Sequence, residues 1–484
     1  MSEIRNLEPK ALWEYFDLIC SIPHPSKKEE RIIQAMVDFA KENDLEHVVD
    51  EVGNVIIRKP ATKGYEDRKG IILQAHLDMV PQKNSDVDHD FEKDPIQPYI
   101  DGDWVKAKGT TLGADNGIGV AAALAVLADK TMEHGPVEAL LTIDEETGMT
   151  GAFGLKPGYL HGDILMNLDS ETEGELYVGC AGGIDANISF DFKREDVPSN
   201  MDSYALSITG LKGGHSGMDI ILGRGNANKI MFRIFKALES VGLRVSDIEG
   251  GSLRNAIPRE GFATVLIPSD NIEKAKEILE NLSNEIKDEL KNVEPDLKIE
   301  LEKTDAPSYV IDEKTQYNLI RAIYACPNGV MRMSDSMEGL TETSTNLAIV
   351  KTDGDEIKVN CLLRSSVDSA KMDLAEMMAS VFELAGAKSE FTGAYPGWKP
   401  NMDSPILKTM QETYNNMYGK VPAIMAIHAG LECGLLGGVY PNWDMISFGP
   451  TIMYPHSPDE KVNVPSVKLF WDYLVETLRN APKK

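Results

Sequence analysis

The stretch that most constrains this chain is an apolar run, residues 137–143 (Val-Glu-Ala-Leu-Leu-Thr-Ile), that ends abruptly in three consecutive acids, Asp144, Glu145 and Glu146. A run this apolar reads as a buried strand, and a buried strand does not end in clustered carboxylates without cost. Like charges this close raise one another's pKa or call for a cation, so the stretch implies a metal, a shared proton or a solvated turn. Partners brought to the same place by other segments decide among these.

Those segments alternate between two periods. Ala11, Leu12, Tyr15, Phe16 and Ile19 recur at helical spacing, and Pro23-His24-Pro25 breaks the pattern. Ser26-Lys27-Lys28-Glu29 then has the form of a capping box for a second helix with Ile32, Ile33, Met36 and Val37 inward. A short strand with a Gly53-Asn54 turn is expected at 52–58, and a compact apolar run at 70–75 ends in His76-Leu77-Asp78. Residues 111–119 lead into an Ala/Leu/Val helix at 120–128, which leaves Asp115 just before a helix N-terminus. The strand at 137–143 follows, then a short helix start at 151–155 and a strand at 164–168 that delivers Asp169. Strands alternating with helices predict an α/β fold with a mostly parallel, covered sheet.

Near residue 185 the grammar changes. From there to about 395 the order is strand, a loop with Gly213-Gly214-His215, long helix, two strands, a long charged helix, strand, helix, two strands, helix, strand. This predicts an inserted α+β domain of roughly two β-α-β-β-α-β-like units. Alternation resumes at 403 with a strand at 423–427, His428, a strand at 445–448 and a terminal helix from Val464. The expected division is 1–184, 185–395 and 396–484, with the first and last parts forming one domain.

The bulk properties bound the function. A chain of 484 residues with 42% hydrophobic content has ample core for two or three domains. A formal charge of -28 argues against nucleic acid and anionic membrane as partners and suits a protein that handles cations or positively charged groups. The five cysteines are scattered and never form Cys-x-x-Cys, so neither a disulfide framework nor a thiolate zinc site is indicated. With no secretory or membrane-spanning pattern, the expected location is a reducing cytoplasm.

Ligands gather at the carboxyl ends of parallel strands, and here those ends carry His76, Asp78, Glu145, Glu146 and Asp169. His76 and Asp78 lie two apart in extended chain and face one side, so the carboxylate can orient the imidazole. Glu145 and Glu146 are adjacent and point apart, which suits one as metal ligand and the other as general base. Asp115 has two oxygens with which to bridge two cations, and the loop 449–457 supplies His456 after the last core strand. Taken singly, Asp115 could be a helix cap and Glu145-Glu146 a solvated turn. Together they form the nitrogen and oxygen ligand set of a two-zinc hydrolase. His24, His47, His89, His134 and His161 read as surface histidines. One rival is the Gly117-Ile118-Gly119-Val120-Ala121-Ala122 stretch, which fits a dinucleotide fingerprint at a helix start but has no strand running into its glycines. A second rival is a silent binding protein that keeps the fold.

Seven stretches carry a resemblance: Gln74–Val80, Thr111–Gly119, Leu141–Gly151, Asn167–Glu171, Gly213–Gly217, His428–Glu432 and Pro455-His456. Together they resemble the M20 metallopeptidases, within them the dipeptidases that act on aminoacyl-histidine, and they cover the chain from end to end. The resemblance implies that Asp115 bridges two zinc ions, with His76 and Asp169 on one and Glu146 and His456 on the other. Co2+ or Mn2+ are implied as substitutes. Glu145 would be the general base, Asp78 the partner of His76, and His215 the group that polarises the scissile carbonyl. Arg364, helped by Asn255 and His428, would hold the substrate. The implied activity is hydrolysis of unblocked dipeptides, including β-alanyl-histidine, by metal-activated water, with a tripeptide aminopeptidase or an N-acyl amino acid deacylase as the alternative. The resemblance also implies a catalytic domain formed by 1–184 and 396–484, with 185–395 as a lid through which the protein forms a homodimer.

Overall fold

A computed structural model describes residues 2–484. The chain divides into two compact units: Met1–Gly179 with Pro400–Ala426 and Leu431–Lys484, and Cys180–Lys399 with Ile427–Gly430.

The first unit is built on an eight-stranded sheet. Its four middle strands, Val137–Thr142, Ile71–His76, Ile164–Asn167 and Asp444–Ser447, run parallel. Strands Glu46–Val49 and Val55–Lys59 on one side, and Glu175–Cys180 on the other, pair antiparallel. The expected parallel order therefore holds at the centre of the sheet. All six residues of Ile71–His76 and of Val137–Thr142 are buried, as strands covered on both faces must be. The register sets His76 opposite Thr142 and Gln74 opposite Asn167, so two strands end level, the third ends just short of them, and their following loops meet.

Helix Ala114–Ala128 is buried along nearly its whole length. Gly117 and Gly119 lie inside it. A Cβ on Gly117 would come within 3.0 Å of the Phe16 ring, and one on Gly119 within 2.7 Å of the Leu168 carbonyl. These glycines allow close packing of the helix; a dinucleotide fingerprint needs them in the turn before a helix, so the nucleotide rival loses its basis.

Two local expectations are corrected. Helix Glu30–Glu42 has no side-chain cap. Ser26 Oγ instead donates to Asp78 Oδ2 at 2.8 Å, and Glu29 Oε1 accepts from Lys27 N and Asp144 N. The apparent capping box is thus used to tie the chain to the strand ends. His24 and His134 are buried, at 3% and 0% exposure, not on the surface. Each ring's Nδ1 lies against a carbonyl one or two residues away, Gly135 O or Ile22 O, so burial leaves that nitrogen satisfied.

The second unit holds a nine-stranded sheet with antiparallel pairing. Helices Ala227–Leu238, Ile272–Leu290, Glu313–Ala325 and Asp368–Leu384 contribute to one apolar core with the sheet's inward residues. Strand Gly261–Pro268 alternates buried and partly exposed positions over its first half, the pattern of a sheet covered on one face. The insertion is α+β, as the sequence predicts.

Candidate metal centre

The strand ends bring His76, the Asp144–Glu146 turn and Asp169 to one edge. His76 Nε2 lies 3.1 Å from Asp115 Oδ1 and 3.5 Å from Asp169 Oδ1. The other Asp115 oxygen, Oδ2, is 3.2 Å from His456 Nε2, which in turn is 3.0 Å from Glu146 Oε2. One carboxylate therefore joins two groups, His76–Asp115–Asp169 and Asp115–Glu146–His456, and Glu145 shares a third with His76 and Glu146. Asp115 can face both ways because its backbone is not helical (φ -84°, ψ 104°) although it lies at the start of a helix. Asp144, Met149, Tyr454 and His456, in the two segments that carry Glu145–Glu146 and His456, take left-handed φ of 51–59°, as do Lys27 and Asp44 elsewhere at 68° and 55°, a conformation that costs non-glycine residues.

These residues fit metal ions. A tetrahedral site with bonds of ~2.0–2.2 Å has ligand–ligand edges of ~3.3–3.6 Å, and the histidine–carboxylate separations within the two groups run from 3.0 to 3.5 Å. Glu146 Oε1 and Asp169 Oδ1 are buried with no hydrogen-bond donor among the described residues. Charge points the same way. Burial, reinforced by Asp115 and Glu146 against the opposing His76, pushes Asp169 up to about 6. Burial, with Asp115 and Asp169, pushes Glu171 to about 8. Glu145 is held well above the carboxylate range by burial, with Asp169, Glu432 and Glu146 adding to it against His76. His456 rises to about 11 through its bonds to Asp115 and Glu146. Burial opposes the same rise in His76, yet Asp169, Asp115 and Asp78 still carry it well above its usual value. Cations would relieve this excess of negative charge, and the imidazole and carboxylate donors suit a borderline divalent ion.

Asp78 lies beneath the centre at 1% exposure. Its Oδ1 accepts from Glu145 N at 2.9 Å, and its Oδ2 accepts from Ser26 Oγ and from Glu146 N at 3.3 Å. His76 Nδ1 hydrogen-bonds to the Asp78 main-chain carbonyl at 3.0 Å, with the carboxylate farther off at 3.4 Å. The side chain thus holds the Glu145–Glu146 turn at least as firmly as it holds the imidazole. Burial opposes ionisation, but His76, Glu145 N–H and the Ser26 hydroxyl bring Asp78 down to about 2. Asp144 accepts from the Thr147 and Thr150 hydroxyls and so closes its own turn.

Two buried acids take part that sequence reasoning left without a role. Glu432 accepts from Gln74 Nε2 at 2.6 Å and Thr142 Oγ1 at 2.9 Å, one layer below the ligands. Glu460 accepts from the backbone at 112–115. Their only signal in the sequence is an acid close to a singled-out histidine, four residues after His428 and His456 respectively.

The remaining predicted residues belong to the second unit. His215 Nδ1 accepts from Gly217 N and Met218 N, which leaves the proton of the neutral ring on Nε2. Arg364 is buried, at 5% exposure. Its contacts are hydroxyls, Tyr395 Oη at 3.3 Å and Ser216 Oγ at 3.5 Å, and its Nε has no partner among the described residues. His428 Nε2 lies 2.7 Å from Ser344 Oγ, and burial followed by Arg364 and His215 lowers its pKa to about 3. A Cβ on Gly217 would sit 2.0 Å from the His428 carbonyl oxygen, so only glycine lets these two loops meet. Asn255 lies on an exposed turn and contributes its carbonyl to Ser216 N.

The sequence profile described as Peptidase family M20/M25/M40 matches residues 72–480. The chain is 51% identical to the cytosol non-specific dipeptidase of Escherichia coli (strain K12) over 485 residues, covering 100% of both. It is 55% identical to the aminoacylhistidine dipeptidase structure from Vibrio alginolyticus, with a TM-score of 0.96 over 100% of this chain and 99% of the other. The aminopeptidase PepT structure from Bacillus cereus ATCC 10987 shares the fold at 16% identity and a TM-score of 0.58, covering 98% and 99%. Strand ends, ligand geometry and end-to-end similarity converge: the chain belongs to peptidase family M20/M25/M40 and is a peptide-bond hydrolase.

Proposed function

We propose that the protein is a cytoplasmic dipeptidase that uses two zinc ions per subunit to hydrolyse unblocked dipeptides, Xaa-His dipeptides such as β-alanyl-histidine among them. The observation that carries this reading is the Asp115 carboxylate, whose two oxygens face two separate histidine–carboxylate groups. The names of the two full-length relatives, a cytosol dipeptidase and an aminoacylhistidine dipeptidase, support the substrate class and the compartment.

His76, Asp115 and Asp169 would hold one ion, and Asp115, Glu146 and His456 the other. When bound, the ions supply Lewis acidity that lowers the pKa of water and polarises the peptide carbonyl. Glu145 takes the proton of the attacking water and returns it to the leaving amine; its raised proton affinity suits both steps. Asp78 fixes Glu145 and Glu146 through their backbone N–H groups. His215 donates a hydrogen bond from Nε2–H to the developing oxyanion and keeps its proton. Arg364 binds the substrate carboxylate, a role supported by a buried guanidinium whose hydrogen bonds among the described residues run to hydroxyls. The surrounding acids favour a free substrate amino group. The first unit acts as the catalytic domain and the second as a lid. A homodimer through the lid is supported by exposed Met218, Ile221, Leu222, Val330, Met331 and Met333.

The test is metal analysis of the purified protein with a panel of β-alanyl-histidine, other Xaa-His dipeptides and N-blocked controls, before and after dialysis against a chelator. Two zinc ions per chain, cleavage of unblocked dipeptides alone and loss of turnover on chelation are expected. Rapid cleavage of blocked substrates, or full activity without metal, overturns the reading.

A further inference from the structure

Glu460 is 2% exposed and makes no contact with solvent that would account for a charged side chain in the core. Its carboxylate accepts four consecutive backbone N–H groups. Oε2 takes Leu112 N at 2.7 Å and Gly113 N at 3.0 Å, and Oε1 takes Ala114 N at 2.8 Å and Asp115 N at 3.2 Å. Each donor lies more than 340 residues away in sequence, so the contact is purely tertiary.

The main chain on either side of Glu460 is also fixed. Strand Lys461–Asn463 pairs with Trp104–Ala107 and with Ile452–Met453, and Glu460 N closes a turn on Ser457 O. The loop that carries His456 is therefore a hairpin whose far end is clamped onto the residues just before and at Asp115. Both groups meet in the second ligand set, where His456 Nε2 is 3.2 Å from Asp115 Oδ2. Charge-assisted bonds from a buried carboxylate to backbone N–H groups are among the stronger hydrogen bonds in proteins, and partners that orient ligands set metal affinity.

We propose that Glu460 is a positioning residue for the dinuclear centre: it locks the bridging Asp115 and the His456 loop into one rigid piece, and so governs above all the affinity for the second ion. This rests on the two-metal reading given above. A glutamine in its place keeps the shape but has one acceptor oxygen, and its NH2 group must face backbone N–H groups. At least two of the four bonds are then lost. Asp115 shifts relative to both ions, but only the second also loses the placement of its histidine.

The test is titration of metal-depleted wild-type and Glu460→Gln protein with zinc followed by calorimetry, alongside thermal melts of both and amide hydrogen exchange on the wild type. The wild type should bind two ions, and failure to do so overturns the two-metal reading itself. If it binds two, the variant should hold the first ion within about threefold and the second about 10- to 100-fold more weakly. Equal wild-type affinity for both ions overturns the role of Glu460, as does an equal loss at both sites accompanied by a lowered melting temperature, which marks general destabilisation. Exchange needs no variant: the amides of Leu112 to Asp115 should be strongly protected in the metal-free wild type, and rapid exchange there removes the clamp.

Discussion

Asp78→Asn separates two jobs that a carboxylate under a histidine could have. Asparagine is nearly the same shape, so packing at this 1% exposed position is preserved and only the hydrogen-bond inventory changes. The carboxylate now accepts from Ser26 Oγ, Glu145 N and Glu146 N. The asparagine oxygen can keep one of the two backbone donors, while its NH2 must face the other. A buried N–H left against a donor costs about 1–3 kcal/mol, and turning a charge-assisted bond into a neutral one costs about 1 more. The sum is about 2–4 kcal/mol.

The acidity of Asp78 reflects the same hydrogen bonds together with His76. Its pKa falls from 3.8 to about 2 in the fold. A group depressed on folding adds stability above its unfolded pKa and loses it as pH falls through the folded one, here between about pH 4 and 2. That shift corresponds to about 2 kcal/mol at neutral pH, in agreement with the lower end of the hydrogen-bond count. Urea denaturation of the metal-depleted variant at pH 7 should therefore show a loss of about 2–4 kcal/mol. Because the strained turn carries Glu145 and Glu146, kcat on an unblocked dipeptide should fall about 10- to 100-fold with KM little changed. Stability within about 0.5 kcal/mol of wild type together with kcat within about twofold would refute the assignment of Asp78 to this turn.

Three further outcomes are expected. Glu145→Gln should retain zinc, measured by atomic absorption, while kcat falls about 10²- to 10⁴-fold, because a general base is lost without a ligand. Arg364→Lys should raise KM for a dipeptide with a free carboxylate by about 10-fold or more and leave a dipeptide amide unchanged, because a bidentate fork is replaced by a point charge. His428 is neutral in the fold down to about pH 3, whereas the unfolded chain takes up its proton below about 6.5, so folding weakens as pH falls through this window; at pH 5 the loss is about 2 kcal/mol, and His428→Gln should flatten the fall in urea midpoint between pH 7 and 5.

What could be read in the sequence follows from where each residue's partners lie. His76, Glu145, Glu146 and Asp169 stand directly after apolar runs, and the register of parallel strands turns that one-dimensional fact into proximity. Asp115 and His456 were legible as a helix start and a loop after a strand. Asp78 was singled out for its spacing from His76, and its carboxylate also accepts from amides 67 and 68 residues away, which no local pattern records. Glu460 and Glu432 were missed for the same reason. The surface reading of His24 and His134 failed because a carbonyl one or two residues away satisfies Nδ1 of each buried ring, a local contact that periodicity does not record. Ser26 and Glu29 had the spacing of a capping box, but stronger tertiary partners, Asp78 and Asp144, took both side chains.

The acid cluster at 144–146 is now divided by what each carboxylate meets. Asp144 accepts from two hydroxyls of its own turn, one on each carboxylate oxygen, and stands outside the two groups that Asp115 joins. Glu146 keeps one oxygen buried without a donor and sets the other on His456, the arrangement of a ligand. Glu145 is held through its backbone, its N–H donating to Asp78 and its carbonyl accepting from Met149 N, which leaves its carboxylate available for the proposed proton transfer. A shared proton could quiet one pair of these acids, but it would leave the bridging geometry of Asp115 and the two facing histidines without purpose. A solvated turn would not bury Asp144 or the Glu146 side chain, which are 5% and 4% exposed. Of the three accounts of this stretch, only cations match both the burial and the two-sided carboxylate at its centre.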